Sequence, residues 1–328
     1  MRILDFPCAQ FAFLGVMILI TWLVLYLQEH SLFYSTAMIP FLVGSLLIQG
    51  YRIYPYTIFS HKESTPCRED DPERTISILS ANVLMDNRNS HQLMQFIEMS
   101  DPDLILLTEA NHWWEQAMKP LETRYDYTIK QPLENTYGIL LYSRFLLIDS
   151  EIKFLVEDDV PSIHTTLRIF SGETVDFYGL HPRPPRIGQD VHERDAELLI
   201  VGRRIKERQR PAIVAGDLND VAWSHSTRLF LRQSGLVDPR IGRGFFNTFP
   251  AHFPFLRFPM DHIFHTKHIG FKRLQILEAF GSDHYPIFAV LSFEDHSTPL
   301  PNTEKKVRNE AKEKIEEGLE HAHNKSLT

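Results

Sequence analysis

At 328 residues and 43% apolar content, the chain exceeds one typical domain and can fill a large core. Its formal charge of −8 argues against broad electrostatic attraction to nucleic acid, which normally needs a net basic face. Two cysteines, Cys8 and Cys67, cannot make a disulfide framework; the sixteen histidines show no His-Glu-x-x-His or paired-Cys zinc spacing, and no Gly-x-Ser-x-Gly turn offers a nucleophilic serine.

The first 50 residues predict a transmembrane helical hairpin, with apolar runs at about 11–27 and 32–49 joined by Gln28-Glu29-His30-Ser31. At 1.5 Å per residue each run spans roughly 25–30 Å, near the ~30 Å hydrocarbon thickness. Trp22, Tyr26, Tyr51, Tyr54 and Tyr56 sit near the run ends, where amphipathic aromatics favour the interface. The rival is a signal peptide with Arg2 as its basic end and Ser35-Thr36-Ala37 as its cleavage site, but a second apolar run does not normally follow one. Arg2, Arg52 and Lys62 flank the runs while the connecting segment has no Lys or Arg, so the positive-inside rule puts the N-terminus and the following domain in the cytoplasm. Residues 51–74, polar and containing Pro66 and Pro72, predict a juxtamembrane linker.

Within 75–295, short apolar runs read as strands, and five of them end or begin in one polar group. Asn82 ends the run from Ile76, Glu109 the run from Leu104, His181 the run from Val175 and Asp217 the run from Ala212, while Asp261 opens the run through Phe264. Further strands are predicted near 136–142, 163–170 and 269–277, and helices from Ser90, over 190–208 and over 224–231. His192, Glu193, Arg194 and Asp195 read as the solvated face of the 190–208 helix. The charged stretch 296–328 reads as a solvated helix or disordered tail.

Two segments carry most of the chemistry: Gly216-Asp217-Leu218-Asn219-Asp220 and Gly281-Ser282-Asp283-His284-Tyr285-Pro286. Asp217 can orient or deprotonate a water, which Asn219 can hold; His284 can stabilise an oxyanion, and Asp283 can support a cation. Asp261 can fix the tautomer of His284 and raise its pKa. An Asx turn at Asp217, a charge-paired Asp261 and a core histidine at 181 are the bland alternatives for residues taken singly. Trp223, Phe246 and Phe249 read first as core aromatics and second as a substrate rim.

Taken in order, Asn82, Glu109, His181, Asp217 with Asn219, Asp261 and Asp283 with His284 resemble the endonuclease/exonuclease/phosphatase superfamily. That group resembles deoxyribonuclease I and includes apurinic endonucleases, inositol-phosphate phosphatases and sphingomyelinases. The likeness covers roughly 74–293; Thr108 stands where many members have Gln, and Leu180-His181-Pro182-Arg183-Pro184-Pro185 resembles the branch with a His. It implies an α/β four-layer sandwich of two mixed sheets flanked by helices, with the site at one edge. It further implies a divalent-metal-dependent phosphoesterase using Mg²⁺, with Mn²⁺ as the alternative: Glu109, Asn82 and Asp283 at the metal, Asp217 and Asn219 at the water, His284 with Asp261 at the phosphorus, and His181 as leaving-group acid. Arg183, Arg186 and Asn247 are candidate substrate contacts. The expected partners are a phosphate ester (lipid headgroup, nucleotide or nucleic acid) and a lipid bilayer, for a catalytic domain acting as a monomer. A nuclease, or a catalytically silent membrane-anchored scaffold, is the alternative.

Overall fold

The computed structural model describes residues 5–28, 37–68, 70–184, 191–294 and 299–326. Two six-stranded sheets form its centre. The first contains β1 (Thr75–Asn82), β2 (Leu104–Thr108), β3 (Tyr127–Gln131), β4 (Ile139–Ser143), β11 (Ile269–Ile276) and β12 (Ile287–Phe293), in the order β11-β12-β1-β2-β4-β3. The second contains β5 (Leu146–Phe154), β6 (Pro161–Arg168), β7 (Thr174–Gly179), β8 (Ala212–Asp217), β9 (Leu236–Val237) and β10 (Asp261–Thr266), in the order β5-β6-β7-β8-β10-β9. Only β1–β2 and β7–β8 pair in parallel, so both sheets are mixed.

Alternation along the strands builds the layers. Ile76, Ile78, Leu104 and Leu106 meet Val175, Phe177, Ile213 and Ala215 between the sheets. Their sequence neighbours Leu79, Ala81, Ile105 and Leu107 point the other way, onto Leu93, Phe96 and Ile97 of α3 (Ser90–Ser100) and Trp114 of α4 (His112–Ala117). Across the second sheet, Tyr178, Val214 and Phe264 pack on α5 (His192–Arg208) and α6 (His225–Ser234). Helix, sheet, sheet, helix is the four-layer arrangement expected.

Three expectations need correction. The charged C-terminal stretch is not solvated throughout: α7 (Lys305–Ser326) buries Val307, Ala311 and Ile315 in the same core as α5 and α6. With α7 over it, the start of α5 is covered, and Glu193, Arg194 and Asp195 are buried rather than solvated. Their charges are matched by His321 and Lys325 on Glu193, by Lys314 on Asp195 and by Asp220 on Arg194. Nor is 51–74 a free tether. Tyr56 is buried and donates to the carbonyl of Ala222 at 2.7 Å, and Ser64 bonds His265 at 2.7 Å.

At the N-terminus, α1 (Cys8–Gln28) has 21 residues, holds an 18-residue stretch of mean hydropathy 2.3 and is the one described helix long and apolar enough to cross a membrane. The expected second span is shorter: α2 (Ile39–Ile53) has 15 residues, about 22 Å at 1.5 Å rise. Pro40 in its first turn suits a helix start, and residues 32–36 lie outside the described chain. The two helices pack antiparallel. Asp5 pairs with Arg52 at the domain end, and further along a Cβ on Gly15 would come within 2.8 Å of Leu46. Both domain ends dock in one cluster, where Cys8, Tyr56, Val221, Ala222, Trp223 and Met260 are buried together.

Candidate active site

The topology carries the candidate residues to one edge of the sandwich. Asn82 ends β1, and because β2 runs parallel beside it, with Asn82 opposite Thr108, Glu109 emerges at the same end. In the other sheet, parallel pairing of Gly179 with Ala215 brings His181 beside Asp217, and antiparallel β10 sets Asp261 directly opposite Asp217. Close approach requires glycine before the acid: Gly216 has φ +135°, and a Cβ there would lie 2.0 Å from the Leu180 carbonyl oxygen. Glu109 and Asn219, at φ +56° and +51°, hold the left-handed region that non-glycine residues seldom occupy.

Asn82, His181, Asp217, Asn219, Asp261 and His284 are buried, and Glu109 and Asp283 half-buried. The amide nitrogen of Asn82 donates to Glu109 Oε1 at 2.8 Å and to Asp217 Oδ2 at 3.0 Å, so it holds two carboxylates together. Its Oδ1 accepts from Leu84 N at 3.0 Å. His284 Nδ1 donates to Asp261 Oδ2 at 2.8 Å, and its Nε2 faces Asp217 Oδ2 at 3.5 Å. His181 Nε2 lies 3.9 Å from that same oxygen, and its Nδ1 has no hydrogen-bond partner among the described residues. Asp217 Oδ1 accepts from Asn219 N at 2.9 Å.

Electrostatics separates the two histidines. Burial opposes a charge on His284, but Asp261 and Asp217 outweigh it and raise its pKa to about 10, so the ring is cationic at neutral pH. Burial lowers His181 to about 4 against the opposing pull of Asp217, so that ring is neutral. Burial thus disfavours the charge that the expected leaving-group acid at His181 would carry, whereas His284 holds its proton. Burial, with the charges of Asp217 and Asp283 adding, lifts Glu109 to about 7 despite the Asn82 bond. Burial also raises Asp217, against the pull of His284.

A group of acids confined this closely suits a divalent cation, and the oxygen-rich donor set suits a hard one. Asp217, Asp261 and His284 can each bring a ligand atom within 4.8 Å of the others. His284 Nδ1 is already committed to Asp261, however, which makes this trio a poor all-round ligand set. Glu109 and Asp283, whose Oδ1 has no partner among the described residues, offer freer oxygens.

Several expected contacts lie elsewhere. Arg183 is spent on structure: its guanidinium bonds both oxygens of Glu157, at 2.9 and 2.8 Å, and Asp159 at 2.8 Å, and lies over the Tyr137 ring. Arg186 falls outside the described residues. Asn247 is half-buried with an unpartnered Oδ1 among the described residues, and is not bonded to the cluster. The side-chain amide of Asn219 donates to the Pro182 carbonyl at 2.9 Å, which ties the His181 loop to β8 and leaves Oδ1 and the second N–H for a water. Of the aromatics, Phe249 alone meets the cluster, its ring 4.7 Å from His284; Trp223 packs on Tyr56 and donates to the Asp5 carbonyl, and Phe246 packs on the inter-sheet core.

Three further residues contact the site residues and are given no role by the sequence. Ser282 Oγ donates to the Asn82 carbonyl at 2.8 Å and accepts from His284 N at 3.0 Å, tying the β11–β12 loop to the end of β1 within the first sheet. Thr248 Oγ1 accepts from Asp261 N at 3.2 Å, and the Tyr137 ring lies 5.6 Å from that of His181. Ser282 carries a signal through its place before Asp283-His284; Thr248 and Tyr137 carry none.

The model of the endonuclease/exonuclease/phosphatase family matches residues 79–284. The chain belongs to this family. Solved structures agree on the fold. The zebrafish TDP2 structure, described as complexed with single-strand DNA product, is 18% identical with TM-score 0.56, covering 66% of this chain and 99% of that one. The human Nocturnin catalytic domain with bound sulfate is 19% identical with TM-score 0.53, covering 68% and 96%. A family member from Bacteroides vulgatus is 20% identical with TM-score 0.55, covering 67% and 99%. A search of curated protein sequences finds no match. Family membership carries the expectation of metal-dependent phosphoester hydrolysis, and α1 and α2 lie outside the matched region.

Proposed function

We propose that the chain is a membrane-tethered, divalent-metal-dependent phosphoesterase that hydrolyses a phosphodiester or phosphomonoester by in-line attack of water, with residues 75–295 as its catalytic unit. One observation carries this reading: Asp217 Oδ2 lies 3.5 Å from His284 Nε2 and 3.9 Å from His181 Nε2, and accepts from Asn82 at 3.0 Å, all buried at one edge of the sandwich. Asp217 orients the attacking water and takes its proton, which a carboxylate with a raised pKa is suited to do. Cationic His284, fixed by Asp261, stabilises the charge that develops on phosphorus. Neutral His181 donates to a phosphate oxygen, with Asn219 holding its loop in place. Glu109 and Asp283, with Asn82 spacing the carboxylates, would hold Mg²⁺ or Mn²⁺. When bound, the ion supplies Lewis-acid polarisation of the phosphate and neutralises charge at the leaving oxygen.

Two features favour this enzyme over a silent scaffold. No metal-site carboxylate is missing, and the Asp261–His284–Asp217 line is intact. The zebrafish relative's DNA product favours a nuclease reading, while the charge of −8 weighs against one.

For location, we propose that α1 and α2 anchor the protein in the membrane with the catalytic unit on the cytoplasmic side. The N-terminal end of α1 and the C-terminal end of α2 both dock on the catalytic unit, so N-terminus and enzyme share a side.

The test is a hydrolysis panel of DNA, RNA, inositol phosphates, nucleotides and bilayer lipids, with the full chain in detergent or liposomes. Turnover that ceases with a chelator and returns with Mg²⁺ or Mn²⁺ supports the proposal; chelator-insensitive turnover overturns the metal assignment.

A further inference from the structure

The loop 249–258 joins the catalytic cluster to the root of the apolar helices. Its base is held by site residues. Phe249 lies 4.7 Å from His284, and Ala251 N donates to the Asp283 carbonyl at 2.7 Å. Arg257 donates to the Tyr285 hydroxyl at 2.6 Å, and Phe258 pairs with Phe249 across the loop. Its tip carries Phe253, Phe255 and Leu256, which are 62%, 89% and 50% exposed. Such a run of large apolar side chains in water marks an interaction surface.

Position names the partner. Gln10, in the opening turn of α1, donates to the Phe255 carbonyl at 3.3 Å, so the tip stands beside the point where α1 leaves the domain. Phe11 and Phe13 continue the exposed apolar surface along the helix. On the α2 side, Tyr51, Tyr54, Ile58 and Phe59 are exposed as well, with Tyr54 donating to the Phe59 carbonyl. The helices thus leave through a partial collar of aromatic and aliphatic side chains. A bilayer surrounding α1 would meet this collar at its interface, where Phe and Tyr are favoured. A protein partner would have no reason to track the root of a membrane helix.

We propose that Phe253, Phe255 and Leu256 insert into the bilayer interface and seat the mouth of the catalytic site on the membrane surface, so that the substrate is a phosphate ester borne by a lipid headgroup. This rests on the phosphoesterase reading and on α1 as an anchor. Because the loop's base touches His284 and Asp283, a seated tip puts the site within one short loop of the headgroups. The loop residues act in substrate delivery and are not catalytic.

The full chain is reconstituted in vesicles of phosphatidylcholine, phosphatidylethanolamine, phosphatidylglycerol and sphingomyelin in equal parts. A spin label is placed at position 255 by Phe255→Cys in a Cys67→Ser background, leaving buried Cys8. The expected result is greater collisional access for oxygen than for a water-soluble nickel chelate; the reverse overturns the seat. In parallel, Phe253→Ser/Phe255→Ser/Leu256→Ser is compared with the parent on vesicle lipid and on soluble bis(p-nitrophenyl) phosphate. The proposal expects lipid turnover to fall about tenfold or more with soluble turnover within twofold. Equal losses on both, or hydrolysis of the soluble ester with none of any vesicle lipid, overturn the substrate class. If the parent hydrolyses neither substrate, the phosphoesterase reading itself fails, and the spin label still decides the seat.

Discussion

Asp217 and Asp220 stand three residues apart, both buried, yet their surroundings differ in kind. Asp220 is saturated: it accepts from Ser224 and Thr227, and Arg194 lies 3.4 Å away. Asp217 faces other groups short of partners, with a carboxylate bridged to it by Asn82 and two imidazoles at 3.5 and 3.9 Å. The neighbouring histidines repeat the contrast. His262 is held neutral, bonded to Arg240 and the Asp220 carbonyl, whereas His284 is held charged between two carboxylates. Burial of charge therefore does not mark the site; charge left incompletely neutralised by the protein does.

The largest expected effect comes from breaking this contrast directly. Asp217→Asn should lower kcat by about 10³-fold, in the range of a lost general base, without loss of thermal stability. Asp220→Asn should do the opposite: it removes one of two carboxylates on buried Arg194, which keeps Asp195 at 3.1 Å, and costs about 1.5–3 kcal/mol, with the folded fraction keeping most of its turnover. Calorimetric melting and kcat on the same preparations separate the two, and a stability loss at Asp217 as large as that at Asp220 would erase the distinction.

Asp261 and His284 sharpen it next. If they act as one unit, Asp261→Asn and His284→Ala should cost similar factors in kcat/KM, and the double variant little more than the worse single one. Additive losses in log rate would make Asp261 a structural residue.

A smaller effect concerns Glu197, a buried acid outside the site whose Oε1 has no partner among the described residues. Burial, with Glu157 adding and Arg183 opposing, raises its pKa from 4.5 to about 8. Folding thus favours its protonated form. The stability this allows is complete below pH 4.5 and is lost at up to about 1.4 kcal/mol per pH unit as pH rises toward 8. Glu197→Gln should leave the melting temperature near pH 4 unchanged and raise it at pH 8; an equal shift at both would refute the assignment.

Arg183 gives the smallest effect. Its charge is spent on Glu157 and Asp159, so Arg183→Ala should lower the melting temperature by a few degrees, as surface-proximal ion pairs do, and leave KM unchanged. A rise in KM of tenfold would return it to the substrate.

The same contrast explains what the sequence reveals. Asn82, Glu109, His181, Asp217 and Asp261 are legible because each terminates or opens an apolar strand, and His284 because it stands in the Ser282-Asp283-His284 segment; strand periodicity also fixes the layering of the sheets around them. Charge patterning is a poorer guide. Glu193, Arg194 and Asp195 look solvated because their partners, Asp220 and residues of α7, are remote in sequence. Arg183 looks like a phosphate ligand because Glu157 and Asp159 are equally distant. The docking of Tyr56 escapes notice for a similar reason: an aromatic near an apolar helix suggests the membrane interface, whereas its contacts are with Trp223 and the Ala222 carbonyl, in the loop after Asp217. The length of α2 is obscured because apolar composition does not report where a helix starts.

The central claim is that incompletely neutralised carboxylates at the sandwich edge bind a divalent cation. Water-proton relaxation during Mn²⁺ titration tests this directly on the full chain, its Glu109→Ala variant and its Asp220→Asn variant, measured where each is folded. The account predicts a saturable Mn²⁺ site in the parent and in Asp220→Asn, and its loss in Glu109→Ala. The same binding curve for all three proteins, or none in the parent, would contradict it.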